Sequence, residues 1–219
     1  MEQYFSVLRT CPLFVGIGDR DLSALIRCLE ARVEHFDKKE TIFADGSPAR
    51  YIGIVLSGSA QILQLDYYGN RSILSEVSPS ELFAEAFACA DVSDLPISVV
   101  ASEPCAVMLI DCGRVLYSCK NACSFHQQMI FNLMKNLATK TILFHERIEA
   151  TSKRSTREKL LTYLLMQSKK AGSRSFESPF DRQELADYLE VERSGLSAEI
   201  GKLRKEGVLT SEKKRFTLL

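Results

Sequence analysis

The chain has 219 residues, and its 28 basic and 28 acidic side chains cancel to a formal net charge of zero. Its 46% hydrophobic content is typical of a folded globular protein and excludes the disordered and fibrous classes. No apolar run approaches the roughly 18 residues of a membrane-spanning helix, and residues 1–14 lack the apolar core of a signal peptide, so we expect neither membrane insertion nor export.

Short strand-like runs dominate residues 30–118. Each run is rich in Val, Ile, Leu and Tyr and ends at turn residues, and this spacing predicts an antiparallel sandwich or barrel. The clearest runs are 51–56, 60–65, 71–77, 97–101 and 106–111. Asp45-Gly46 and Gly69-Asn70 supply the positive-φ backbone that hairpins require. We therefore assign residues 1–118 to an N-terminal β-barrel domain.

Residues 121–150 contain no Gly or Pro, and their pattern is helical. A helix of this length spans roughly 42 Å, longer than one side of a small barrel. Its apolar stripe predicts a two-stranded dimer contact, with packing against its own domain as the alternative. We therefore assign residues 119–150 as a dimerisation helix. The predicted interface consists of Ile130, Leu133, Met134, Leu137, Thr141, Phe144 and Ile148.

Residues 151–219 form a third predicted domain. Ser155-x-x-Glu158 and Asp181-x-x-Glu184 are capping boxes that open helices ending near Lys170 and Leu189. After a three-residue break, another helix runs from Arg193 to Glu206, and residues 208–219 alternate as two short strands. Two helices with a short turn and a basic hairpin predict a winged helix-turn-helix.

Charge is distributed unequally between these parts. Residues 1–150 carry a net charge of −5, and residues 151–219 carry +5. This asymmetry is compatible with a polyanion such as nucleic acid as the partner of the C-terminal part, and equally with a solvated basic face.

The helix from Arg193 to Glu206 has the pattern of a DNA recognition helix. Leu196, Ile200 and Leu203 share one face, which we expect to point into the core. On the opposite face we expect Arg193 to contact guanine, Ser194 and Ser197 several bases, and Ala198 the thymine methyl group. The predicted phosphate contacts are Lys202, Arg204, Lys205, Lys213, Lys214 and Arg215. The alternative is a helical hairpin that packs on a protein partner.

This order of parts resembles the Crp/Fnr family of bacterial transcription regulators over essentially the whole chain. The motifs that carry the resemblance are Leu13-Phe14, Tyr51-x-x-x-Val55-Leu56-Ser57-Gly58, Gly69-Asn70-Arg71, Phe83-Ala84-Glu85, 181–189 and Arg193-Ser194-x-Leu196-Ser197. The resemblance implies an α+β fold whose barrel is a double-stranded β-helix of the cyclic-nucleotide-binding type. It further implies a homodimer on a promoter palindrome of double-stranded DNA, RNA polymerase as a partner, and a small-molecule effector in the barrel. Arg182, in the 181–189 motif, joins the predicted DNA-binding set.

The resemblance also implies a phosphate cassette, which this chain has altered. Cyclic-nucleotide-binding members carry a Gly-Glu pair and then an Arg-Ser pair; here Ala84-Glu85 and Leu95-Pro96 stand at those positions. Leu offers a phosphate no cation and Pro offers no N–H, so we do not expect a cyclic nucleotide. An apolar or aromatic effector is favoured. The predicted pocket is Phe83, Ala84, Glu85, Leu95, Pro96, Val99, Phe131, Met134 and Leu137.

Other cofactors are not predicted either. Seven cysteines at irregular spacing, without an export signal, indicate reduced thiols in the cytoplasm. Only Cys11 and Cys28 precede residue 89, too few for the N-terminal ligands of an iron–sulfur cluster in this family. Cys119-x-x-x-Cys123, with Cys112 nearby, is interpreted as apolar packing, with a redox pair or metal site as the alternative. The three histidines, at 35, 126 and 145, are isolated and predict no haem.

We expect a regulator and no enzyme. A cupin-type metal oxygenase needs a His-x-His pair, and His35 is the only histidine in the strand region. The alternatives that remain are a redox-responsive regulator using cysteine thiols and an interaction protein that has lost DNA binding. Ala198 replaces an Arg found in many family members, and Glu190 replaces the usual turn Gly, so the half-site sequence is not assigned.

Overall fold

A computed structural model describes residues 2–65, 71–117 and 123–219. The fold is mixed α+β, as predicted, and it divides into two compact units, Met1–Leu137 and Ala138–Leu219. The predicted turn at 69–70, Cys119 and the predicted domain boundary at 118 lie outside the described residues. The division falls inside a long helix, and the three-domain assignment stays a prediction.

The first unit begins with helices that the sequence analysis did not predict. Helix α1 is Phe5–Thr10 and α2 is Asp19–Cys28, with 3-10 turns at Glu2–Tyr4 and Pro12–Phe14. Helix α2 is amphipathic, burying Leu22, Leu25 and Ile26 at the three-to-four residue spacing of one helix face.

Antiparallel strands follow and form two sheets. The strands are β1 (Arg32–Phe36), β2 (Thr41–Phe43), β3 (Tyr51–Ser57), β4 (Ala60–Leu65), β5 (Arg71–Val77), β6 (Leu82–Phe83), β7 (Ser98–Ala101) and β8 (Cys105–Asp111). One sheet has the order β1-β8-β3-β6 and the other β2-β7-β4-β5. The predicted antiparallel β-domain is confirmed. The five predicted runs correspond to β3, β4, β5, β7 and β8 within one residue at each end, whereas β1, β2 and β6 were not among them.

Strands β3 and β8 are buried on both faces, which explains their nearly continuous apolar sequence. Ile54 and Met108 belong to a core shared with α1 and α2. Their neighbours Val55 and Val107 belong to a second core, which fills the space between the sheets. Side chains that alternate between two cores leave little room for polar residues in these strands.

Three further helices complete the first unit's elements. They are α3 (Glu85–Cys89), α4 (Cys112–Tyr117) and α5 (Ser124–Thr151), the last continuing into the second unit. Asn132 of α5 is buried, and its Nδ2 donates hydrogen bonds to the carbonyl oxygens of Leu13 (3.0 Å) and Val15 (2.7 Å). This amide fixes the register of α5 against the N-terminal segment.

The second unit contains the predicted winged helix-turn-helix. Its elements are α6 (Thr156–Ala171), β9 (Ser175–Glu177), α7 (Arg182–Leu189), α8 (Arg193–Lys205), β10 (Leu209–Glu212) and β11 (Arg215–Leu218). The sheet order is β10-β11-β9, and β9 is the strand that the sequence analysis missed. In the part of the chain that the structure covers, no helix is both long and apolar enough to cross a membrane.

Both predicted capping boxes are present. The Glu158 N–H donates to Ser155 Oγ (3.2 Å), and the Glu158 carboxylate accepts from the Ser155 N–H (3.1 Å). Asp181 and Glu184 make the same pair of bonds at 2.9 and 2.6 Å. Each box satisfies backbone donors that the first turn of a helix otherwise leaves unpaired.

Candidate nucleic-acid interface and sensing region

The turn between α7 and α8 sets the direction of the recognition helix. Glu190 lies there with φ at +53°, the left-handed conformation usually taken by Gly. Lys159 Nζ stabilises the turn by donating to the carbonyl oxygens of Leu189 (3.1 Å) and Glu190 (3.3 Å). The turn therefore keeps a glycine-type backbone although it carries a glutamate.

Helix α8 has a buried face and an exposed face. Leu196, Ile200 and Leu203 are buried in the core of the second unit. The predicted base-contacting residues all lie on the exposed side: Arg193, Ser194, Ser197 and Ala198. A Cβ built at Gly195 meets nothing within 4 Å, so the first turns of α8 present an open surface.

A basic groove lies between the C-terminal half of α8 and the hairpin of β10 and β11. This wing groove has a volume of about 860 Å³ and is lined by Gly201, Arg204, Lys205, Leu209, Thr210, Ser211, Glu212, Arg215 and Thr217. Three of its side chains, Arg204, Lys205 and Arg215, are cationic and exposed. Cations of this kind suit the sugar-phosphate backbone of a duplex.

Several cations of the predicted DNA-binding set make contacts within the unit. The Arg182 guanidinium lies 4.7 Å from the centre of the Phe216 ring and donates to Ser211 Oγ (3.2 Å). Burial lowers the pKa of Arg182. Lys214 Nζ donates to the Pro179 carbonyl oxygen (3.2 Å). Arg182 and Lys214 thus hold the wing in place. Lys202, Lys205 and Lys213 are exposed, and Lys202 Nζ also lies 3.4 Å from the Glu199 carboxylate.

The barrel interior is filled by its own side chains at the predicted effector pocket. Phe83, Leu95 and Val99 are at most 2% exposed and belong to the core between the sheets. The Phe83 ring packs on Phe43, with centroids 5.4 Å apart, and on Gly53, where a Cβ would lie 2.1 Å from the ring. A ligand in the barrel interior has to displace Phe83.

The altered cassette has a glycine-type backbone at Ala84 but does not fit a phosphate. Ala84 has φ at +62°, the conformation expected of the family's Gly at that position. Leu95 is buried and uncharged, and Pro96 has no N–H to donate. These residues therefore do not fit the phosphate of a cyclic nucleotide. Glu85 is 2% exposed and accepts a hydrogen bond from Asn136 Nδ2 of α5 (3.3 Å).

The remaining pocket residues lie elsewhere in the first unit. Phe131 and Met134 are 56% and 58% exposed, and Leu137 is partly buried against the helical core. The structure therefore does not gather the nine predicted pocket residues around one cavity; some fill the barrel, and others lie on the surface of α5.

Some of the predicted dimer residues pack in the first unit, and others are exposed on α5. Leu133 is buried in its own unit's core, and Ile130 is half-buried, because the anchored face of α5 includes Met129 and Asn132. A row of exposed residues on α5 is displaced from the predicted one, and it leaves out the exposed apolar residues Ile142 and Leu143. This α5 stripe consists of Phe131, Met134, Ala138, Thr141, His145 and Ile148, all exposed and spaced alternately by three and four. Phe144, also predicted, is exposed beside the stripe.

Two family models match the chain in the order of its two units. Residues 33–120 match the cyclic nucleotide-binding domain, and residues 158–219 match the Crp-like helix-turn-helix domain. The chain belongs to the Crp/Fnr family. This Crp/Fnr regulator therefore has a DNA-binding helix-turn-helix and an effector-binding domain, and its matches are regulatory proteins rather than enzymes.

Relatives cover nearly the whole chain at low identity. The global nitrogen regulator of Synechocystis sp. is 21% identical over 211 residues, which span 91% of this chain and 92% of the relative. DNR from Pseudomonas aeruginosa is 21% identical with a TM-score of 0.53, covering 100% of this chain and 95% of that one. The Thermus thermophilus catabolite activator protein is 19% identical with a TM-score of 0.51, covering 95% and 93%. At these identities the structures show a shared fold.

Sequence reasoning missed a thiol pair in this Crp/Fnr regulator. Cys89 Sγ and Cys112 Sγ are 3.6 Å apart, although 23 residues separate them and no local spacing signals the contact. The predicted pair involves Cys119, outside the described residues, and Cys123, which is half-buried. His126 is 3% exposed, and neither ring nitrogen has a hydrogen-bond partner. Within the described ranges, no group of three or more His, Cys, Asp or Glu side chains could hold a metal ion.

Proposed function

We propose that the chain acts as a homodimeric, effector-responsive regulator that binds a palindromic duplex site through α8. The observation that carries this proposal is the two-sided character of α8. Its apolar face is fully used in the core, while Arg193, Ser194 and Ser197 are exposed at its first turns. A helix that packs on a protein partner needs a second apolar face, and α8 presents polar groups there instead.

The charges around α8 support contact with a duplex. Lys202 and Lys205 follow the base-reading residues, and Arg204 and Arg215 line the wing groove. Arg193 is suited to a bidentate contact with guanine O6 and N7, which specifies a base, whereas the other cations neutralise phosphates and set affinity. Binding is therefore expected to weaken with salt.

The α5 stripe supports assembly with a second copy of this chain. Its spacing of three and four residues is that of a two-stranded coiled coil, and Phe131, Met134 and Ile148 are all more than half exposed. Apolar residues at this spacing bury their surface against an identical stripe in a parallel partner. Two copies then present two α8 helices, as a palindrome requires, with half-sites about 34 Å apart.

The effector is proposed to be small and apolar or aromatic. Support comes from the apolar side chains of Phe83, Leu95 and Val99, which fill the barrel interior, and from the poor fit of Leu95 and Pro96 to a phosphate. Its entry would displace Phe83 and the adjoining Ala84-Glu85, and Glu85 is hydrogen-bonded to α5 through Asn136. Contact with RNA polymerase and a cytoplasmic location belong to the same proposal, since the chain would act at promoters.

Selection of duplexes from a random library by the full-length chain tests the proposal. We expect a palindrome, and we expect Arg193→Ala to lose about 1–3 kcal/mol of discrimination at one guanine in each half-site. Arg20→Ala is the matched control, since Arg20 is exposed on α2 of the other unit. Failure to enrich any sequence would favour the alternative, an interaction protein without DNA binding.

A further inference from the structure

The thiols of Cys89 and Cys112 meet at a junction of two short helices in the first unit. Cys89 is the last residue of α3, and Cys112 is the first residue of α4. Their sulfur atoms are 3.6 Å apart, close to van der Waals contact. Cys112 is 3% exposed, whereas Cys89 is only half-buried. Cys89 is therefore the more accessible of the two thiols, and Cys112 is the buried one.

The contact makes the two thiols chemically unequal. The hydrogen bond with Cys112 lowers the pKa of Cys89, against the opposing effects of burial and the Glu85 charge. The same hydrogen bond, then burial, raises the pKa of Cys112. Burial raises the pKa of Cys11 to about 12 and also raises that of Cys105. Because Cys89 is less buried than Cys112 and its pKa is lowered, we take Cys89 as the thiol that reacts first, since the thiolate is the reactive form.

We propose that Cys89 and Cys112 are an oxidisable thiol pair that hydroperoxides convert into an intramolecular disulfide. The Cys89 sulfur attacks the O–O bond, giving a sulfenic acid and, from hydrogen peroxide, one water. The Cys112 sulfur then attacks the sulfenic sulfur; the S–S bond forms, and the hydroxyl group leaves with the Cys112 proton as a second water. Two thiols lose two electrons in total, and one peroxide is reduced to two waters.

We expect closing this bond to shift α3 relative to α4. A disulfide holds its sulfurs about 2.05 Å apart, so the 3.6 Å separation shortens by roughly 1.5 Å. Glu85 lies at the other end of the same short helix, and its 3.3 Å hydrogen bond from Asn136 is already long. Oxidation therefore weakens the hydrogen bond between Glu85 of α3 and Asn136 of α5, and this change lowers the affinity of the chain for DNA. The expected loss of DNA affinity on oxidation rests on the proposed DNA-binding function, whereas the oxidation chemistry does not.

Peptide mass spectrometry of the full chain after hydrogen peroxide treatment tests the chemistry. We expect a reducible cross-link joining the peptides of Cys89 and Cys112, and the same cross-link in Cys28→Ser, whose cysteine is exposed. In Cys112→Ser and Cys112→Ala, we expect Cys89 to be captured as a sulfenic acid by dimedone. The alanine variant covers the case in which a serine hydroxyl disturbs the core. Oxidation at Cys28 with no link between Cys89 and Cys112 would overturn the proposal.

Measuring the affinity of the chain for the selected duplex tests whether disulfide formation weakens DNA binding. Oxidised wild-type chain is expected to bind roughly fivefold or more weakly than reduced chain, with recovery after dithiothreitol. Cys89→Ser and Cys112→Ala should show no such change. Complete disulfide formation with unchanged affinity for the duplex would refute the claim that oxidation weakens DNA binding. If the reduced chain binds no duplex while the cross-link still forms, the proposed DNA-binding function fails and the thiol chemistry stands.

Discussion

Asn136 Nδ2 on α5 lies 3.3 Å from Glu85 Oε1 at the start of α3, where it donates a hydrogen bond to a carboxylate that is almost fully buried. Glu85 stands in the altered cassette of the effector-binding domain, and α5 carries the stripe proposed for dimerisation. This bond therefore connects the region that would sense an effector to the helix that would respond.

Asn136→Ala should destabilise the chain by about 1–2 kcal/mol, because a buried charged acceptor loses a donor. Urea denaturation followed by circular dichroism measures this effect. Gln127→Ala is the control, since Gln127 is exposed on the same helix. Equal midpoints for the two variants would show that the Asn136 bond contributes nothing to stability.

Glu190→Gly should stabilise the second unit. Glu190 has φ at +53°, and Gly adopts this conformation without the steric penalty of a Cβ. We expect a gain of about 0.5–1 kcal/mol, since the ion pair with Arg147, at 3.5 Å and largely exposed, contributes little. Thermal unfolding measures it. Glu190→Ala also removes the carboxylate but keeps the Cβ, so a similar gain in that variant would contradict the strain argument.

Gly53→Ala and Gly195→Ala should change stability in opposite directions. At Gly53 a new Cβ would lie 2.1 Å from the Phe83 ring, and the overpacked core is expected to lose about 1–3 kcal/mol or more. At Gly195 nothing lies within 4 Å, and Ala is favoured over Gly in a helix by up to about 1 kcal/mol. Denaturant midpoints of both variants test these packing assignments. A neutral Gly53→Ala would show that Phe83 moves aside easily.

His126 should make the first unit less stable in mild acid. Burial lowers its pKa below the ordinary histidine value, so the unfolded chain binds a proton at a pH where the folded chain does not. The contribution of His126 is complete above about pH 6.5, the usual histidine pKa, and is lost as the pH falls below it. His126→Phe should therefore lose less stability than wild type between pH 8 and pH 5.5.

Replacing the exposed His35 with Gln serves as the control in the pH experiment. That variant should follow the wild-type dependence on pH. If His126→Phe does the same, His126 does not carry the pH effect.

Local features of the fold were predictable because their causes lie within a few residues. Ser155 with Glu158 and Asp181 with Glu184 marked two helix starts correctly, since a capping box is complete within four positions. The apolar runs 51–56 and 106–111 likewise marked β3 and β8 as strands, since their composition and the turn residues that end them are local signals.

Features that depend on distant contacts were missed or displaced. Arg182 was assigned to DNA, but its guanidinium packs on Phe216, 34 positions later, which no local pattern reveals. Leu133 was included in the predicted dimer row because periodicity identifies a helix face but not the residues that pack against it. In the structure, Leu133 packs in the core of the first unit. The contact between Cys89 and Cys112 depends in the same way on how α3 and α4 meet.

Titration of the selected, fluorescently labelled palindrome with the full-length chain at several salt concentrations tests dimeric duplex binding most directly. We predict two chains per duplex and an affinity that falls linearly in a double-logarithmic plot against salt. One chain per duplex would contradict assembly through the α5 stripe. Affinity that does not respond to salt would contradict a duplex interface built on the cations of α8 and the wing groove.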